Sequence, residues 1–123
     1  MKHFTIESLE GHVDQASLEL RGSLRTSRAQ AEFERHLTQV HEHIVQKKYA
    51  AFEVDVRSLS FVNSSAIRLF VNWIALAERA RYKLVFQTDR NVTWHRLSFS
   101  VLKGLAPSTV EIREESRRGG PAP

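Results

Sequence analysis

The stretch SFVNSSAIRLF, residues 60–70, sets Asn63, Ser64 and Ser65 between a strand-like run and a helix-like run, with no charged side chain before Arg68. Three uses are open to hydroxyls at such a junction. The first turn of a helix leaves backbone N–H groups without intrahelical acceptors, and Asn and Ser are among the residues that best satisfy them. Capping alone would account for all three side chains. A phosphoryl group on Ser64 would meet the same donors and the positive end of the helix dipole, so the position also suits a phosphate-switched residue. A nucleophilic serine would need a base within hydrogen-bond reach and a partner that orients that base. The histidines, His3, His12, His36, His41, His43 and His95, fall in no catalytic motif, and the glycines of G-x-S-x-G that permit a sharp nucleophile turn are missing. Enzyme chemistry is therefore the weakest of the three readings. His36 and His43 share one face of a predicted helix, but no carboxylate stands beside them at ligand spacing, so a solvated face and no metal are expected. No glycine-rich phosphate loop follows a strand, and no cofactor is implied.

The elements around this junction follow from periodicity. Phe4 and Ile6 alternate with Thr5 and Glu7, and Leu18 and Leu20 with Glu19 and Arg21, as in half-buried strands; EGHVDQ between them reads as the turn. Ala29, Phe33, Leu37, Val40 and Ile44 recur at helical spacing over residues 28–48. Phe52, Val54 and Val56 alternate with Glu53, Asp55 and Arg57, a strand with one wet face. A second helix, residues 66–80, carries Ile67, Phe70, Val71, Ile74 and Ala77 on one side. Leu69, Trp73 and Leu76 widen that apolar arc beyond the ~100° that a one-sided surface helix needs. Either flanking helices cover the excess, or these three residues offer a contact to a partner. KLVFQT, WHRLSFSVLKGLAP and TVEIREE supply a strand, a third helix stopped by Gly104 and Pro107, and a last strand. The expected fold is an α/β or α+β domain in the order ββαβαβαβ, with a mixed sheet of roughly four to five strands and helices mainly on one face.

Composition narrows the class of function. The chain of 123 residues, 41% hydrophobic and 26% charged, suits one core, hence a single domain over residues 1–115 with a Gly- and Pro-rich tail, residues 116–123, expected to be disordered. With no cysteine, neither disulfides nor thiolate chemistry is available, and the most apolar segment is interrupted by Arg68 and Asn72. A soluble cytoplasmic protein without a membrane span is expected. The net charge of +4 sits partly in the tail and forms no basic stripe with interleaved aromatics, so nucleic acid is not an expected partner.

The segments GSLRTSRAQAEFERHL, FEVDVRSLSFVNSSAIRLF and LSFSVLKGLAPSTVEI together resemble the STAS domain of the anti-sigma-factor antagonist family, over about residues 4–112. FVNSSA is similar to the family's F-x-D-S-S-G. The resemblance implies a STAS-like sheet-and-helix domain that acts without catalysis, docks on a protein partner such as a kinase-type anti-sigma factor, and is released when a serine at the start of the second helix is phosphorylated. Carried over, Ser64 matches the phosphorylated serine and Ser65 its neighbour. Asn63 stands where the family has Asp, Ala66 where it has Gly, and Arg25 where the loop after GSL usually has an acidic residue. The pocket is thereby less acidic, and Arg25 becomes a candidate anion contact. The alternative to a switch is a constitutive binding or scaffold module in which the serines only cap and the apolar face of the second helix, at Leu69, Trp73 and Leu76, makes the contact; a homodimer is compatible with either reading.

Overall fold

Two tight turns organise the first strands of the chain, and neither lies where Gly or Asn would announce it. The computed structural model describes residues 2–115. Strands β1 (Lys2–Ile6), β2 (Leu9–Asp14) and β3 (Ser17–Leu24) form an antiparallel meander. Ile6 pairs with Leu9 and Asp14 with Ser17, so the loops are Glu7 with Ser8 and Gln15 with Ala16. Glu7 and Gln15 take φ values of 54° and 53°, a left-handed conformation for which side chains other than Gly, Asn and Asp carry no sequence signal. This corrects the reading of EGHVDQ as a turn: its first five residues belong to β2. Gly11, the apparent turn residue, sits mid-strand because Phe4, its direct partner across β1 and β2, lays its ring there. A Cβ on Gly11 would come within 2.2 Å of the Phe4 ring. Gly22 is needed for another reason, since its φ is +96° and the Ser8 carbonyl oxygen would lie 2.0 Å from an added Cβ.

From β3 onward every strand joins in parallel through a helix. A 3-10 turn (Ser27–Ala29) leads into α1 (Gln30–Lys47), followed by β4 (Ala51–Val62), α2 (Ser64–Ala80), β5 (Lys83–Asp89), α3 (Thr93–Leu105) and β6 (Val110–Glu115). Among the described residues the sheet has six strands in sequence order, β1-β2-β3-β4-β5-β6, rather than four to five, the added one being β2. Helices α1 and α2 both end on left-handed residues, Lys48 (φ 58°) and Arg81 (φ 65°), whose N–H groups return to the last-turn carbonyls.

The helices pack on one apolar face of the sheet. Phe33 of α1 meets Phe70 of α2 edge-on at 5.9 Å, Phe70 meets Phe86 of β5 at 6.0 Å, and Phe86 meets Phe99 of α3 at 5.1 Å. Phe52, Val54 and Val56 of β4 are buried in the same core as Leu18, Leu20 and Leu84. The alternate residues form a polar face on which Arg57 bonds Asp55 at 2.8 Å and Glu115 at 3.0 Å, and Gln87 donates to Glu53 at 2.9 Å. Such half-exposed pairs add little stability each, and they keep this face wet. No helix among the described residues is long and apolar enough to cross a membrane. The tail expected to be disordered, residues 116–123, lies outside the described residues.

Candidate functional site

Asn63 alone performs the cap. Its backbone is extended (φ −79°, ψ 172°), and its side-chain Oδ1 accepts the Ala66 N–H at 2.9 Å. Ser64, the first helical residue, is exposed, and Ser65 is half-buried. The Ser64 hydroxyl is thus left on the surface at the positive end of α2, whose first turn contains no acidic residue to offset an added negative charge.

The surface around Ser64 is built by the end of β4. Relative to β3, this strand carries an extra residue between Asp55 and Ser58 and another between Leu59 and Phe61. Each bulge breaks the two-residue alternation and turns the following side chain to a new face. The buried positions Phe52, Val54 and Val56 are therefore followed by Leu59 and Val62, while Phe61 points outward and is 38% exposed. Leu24, at the end of β3, pairs with Val62, and its carbonyl accepts the Asn63 N–H at 3.0 Å. This bond brings the loop after β3 alongside the start of α2. Arg25 in that loop is exposed and sets its guanidinium over the Phe61 ring, 4.8 Å from the centroid. Next to it, the Thr26 hydroxyl donates to the Glu7 carboxylate at 2.9 Å. On the other side, Trp94 Nε1 of α3 donates to the Ser60 carbonyl at 2.9 Å. Arg25, Phe61 and Ser64 are thus collected at one end of the sheet. Phe61 was not among the residues singled out from sequence, because the bulges that expose it leave no periodic trace.

His95, which reaches the Leu59 carbonyl of β4, is already committed. His95 is fully buried; its Nδ1 accepts the Asp89 N–H at 3.1 Å and its Nε2 faces the Leu59 carbonyl at 2.8 Å, which assigns the proton to Nε2. Burial holds its pKa below the ordinary histidine value. Both ring nitrogens serve the backbone and neither is available as a base. His36 stacks on Phe4 at 4.2 Å, and His43 bonds the Gln15 carbonyl at 2.9 Å. Among the described residues no cluster of three or more His, Asp or Glu side chains is placed to hold a metal.

Leu69, Trp73 and Leu76 require a correction. Leu69 and Trp73 are 3% and 1% exposed, and only Leu76 is partly open. They line the contact with α1, together with Leu37 and around a cleft of about 40 Å3. Trp73 donates its indole N–H to the Tyr82 hydroxyl at 2.9 Å, and Tyr82 in turn meets His41 Nδ1 at 2.7 Å. This chain ties α2, the approach to β5 and α1 together. The wide apolar arc of α2 is explained by α1 on one side and the sheet on the other, so Leu69 and Trp73 do not form a partner surface. Burial, only partly offset by the indole bond, pushes the Tyr82 hydroxyl up to about 12.

No protein-family model matches the sequence, and no curated protein is similar to it in sequence. Among solved structures, the anti-sigma factor antagonist SpoIIAA in its unphosphorylated form is similar in fold, with a TM-score of 0.58 and 12% sequence identity over 90% of this chain and 92% of that one. The fold is STAS-like.

Proposed function

We propose that this chain is a non-catalytic regulator of the STAS type, working in a bacterial cytoplasm by association with a protein partner, and that phosphorylation of Ser64 ends the association. The observation that carries this reading is the division of labour at the start of α2: Asn63 supplies the cap, so Ser64 is free of structural duty and open to solvent. The similarity in fold to an anti-sigma factor antagonist supports the class of function and an anti-sigma factor as partner, the kinase type being what the resemblance of FVNSSA to the family motif implies.

The docking surface in this reading is the end of the sheet that holds Phe61, Arg25 and Ser64. An exposed aromatic flanked by a stacked guanidinium is the type of anchor that dominates protein interfaces. A phosphoryl group on Ser64 would place about −1.5 to −2 charges there. It would be stabilised by the helix N-terminus and by Arg25 if that side chain leaves the Phe61 ring, and a partner packed on hydroxyl and aromatic surface would be expelled. Ser65 and Asn63 shape the loop in either state.

Two measurements test this. Incubation with ATP and extract of the source cell should add the mass of one phosphate to the wild-type chain and none to Ser64→Ala. Affinity capture should then recover one partner with Ser64→Ala and lose it with Ser64→Asp. A chain that stays unmodified under all growth conditions, or a partner held equally by both variants, rejects the switch; the latter outcome favours a constitutive module.

A further inference from the structure

Helix α3 carries an apolar face that the other described residues leave open. Leu97, Val101 and Leu105 are 66%, 63% and 61% exposed and recur at every fourth position, so they form one stripe along the helix. The opposite side, His95, Phe99 and Leu102, is buried against the core. One flank is held to β6, with Arg96 meeting Glu114 at 3.7 Å and the Lys103 ammonium donating to the Pro107 and Val110 carbonyls at 3.0 and 2.8 Å. Gly104 lies on the outward side, where an added Cβ would meet nothing within 4 Å, so a second helix has room for close approach.

We infer that this face pairs with the same face of a second copy of the chain, the two α3 helices running antiparallel about a twofold axis at Val101. The order of the stripe supports self-pairing. It reads the same in both directions, a leucine four residues before Val101 and a leucine four residues after it. Under a twofold axis Val101 meets its own copy and Leu97 meets Leu105 of the second chain, which is the self-complementarity a symmetric dimer requires. Charge agrees. Helix α3 contains no acidic residue, and Arg96 is turned to Glu114 of its own chain, so the stripe itself carries no charge that a second copy would have to desolvate. Lys103 is turned back to its own backbone and brings no like charge to the centre.

The stripe amounts to a few hundred Å2, the size of patch that marks a contact on an otherwise soluble surface. It falls short of the ~800 Å2 per partner of a standard stable interface. The dimer is accordingly weak and concentration-dependent. It rests on the exposure of α3 and not on Ser64, so it stands or falls separately from the phosphorylation switch.

Sedimentation of the full chain up to about 1 mM should show the average mass rising toward that of a dimer, and Val101→Glu should raise the dissociation constant at least ~10-fold by setting like charges face to face. The variant should melt like the wild type, because the side chain is open to solvent. The absence of cysteine allows a positional check. Val101→Cys should cross-link to itself on oxidation, whereas Leu97→Cys and Leu105→Cys should cross-link efficiently only when mixed. A monomer at every concentration overturns the inference, even if the stripe captures a different protein. So does a dimer that survives Val101→Glu, or one in which Val101→Cys fails to cross-link.

Discussion

Asn63 holds the entry to α2 through one side-chain bond, and its replacement separates capping from the chemistry of Ser64. Asn63→Ala should cost about 1 kcal/mol in urea unfolding, the usual worth of an N-cap. Asn63→Asp should keep the wild-type stability or exceed it by a few tenths, because a carboxylate caps equally well and faces a positive helix end. It should also weaken the effect of a phosphate on Ser64 by placing negative charge there beforehand. Gly11 is a second position where one atom decides. Gly11→Ala should destabilise by about 1–3 kcal/mol, since the methyl group would enter the Phe4 ring. These local roles differ in how far sequence reveals them. A cap is chemistry within three residues, so Asn63, Ser64 and Ser65 are legible from their types and order. Gly11 is read wrongly as a turn, because the ring that excludes a side chain there comes from the neighbouring strand.

At the scale of elements, α2 and α3 have opposite fates that their periodicities do not reveal. Both present wide apolar faces. The face of α2 is covered by α1 and by the sheet, whereas the outer face of α3 has nothing over it among the described residues. Trp73→Ala should therefore behave as a core deletion, lowering stability by about 3–5 kcal/mol and leaving the Tyr82 hydroxyl without its indole donor. Trp73→Phe keeps most of the volume and isolates the hydrogen bond, so its cost should be clearly smaller. A Trp73→Ala chain that folds with wild-type stability but loses a partner would contradict the core assignment. The end of β4 shows a second limit of periodicity. Once two bulges have shifted the phase, Phe61 emerges where strict alternation offers no reason to expect an exposed aromatic.

For the whole molecule, acid should be the condition that exposes its weakest balance. His36, His41 and His95 all have pKa values held below the ordinary histidine range by burial, with Lys2 and Arg35 adding to the effect at His36. The unfolded chain binds protons more readily at these sites, so their neutral forms contribute stability that is complete above about pH 6.5 and is lost as the pH falls through the depressed folded values. Asp55 adds a second loss at lower pH. Burial would raise its carboxyl, but the Arg57 bonds and charge overcome this and hold it below the ordinary value. Urea midpoints should stay level down to about pH 6.5 and fall from there to about pH 5, and His95→Gln should both lower stability at neutral pH and flatten this slope. A flat profile would mean that these rings protonate without strain. What the sequence determines by itself here is what neighbours along the chain decide: the helical and strand periods, the cap at Asn63 and the serine beside it. Tertiary structure alone decided that the chain has a third meander strand, that Trp73 is inside, and that Phe61 and the α3 stripe are outside. Coverage of an apolar face depends on residues distant in sequence, and a strand turned by Glu7 and Gln15 is specified by pairing more than by the types of residue in its turns.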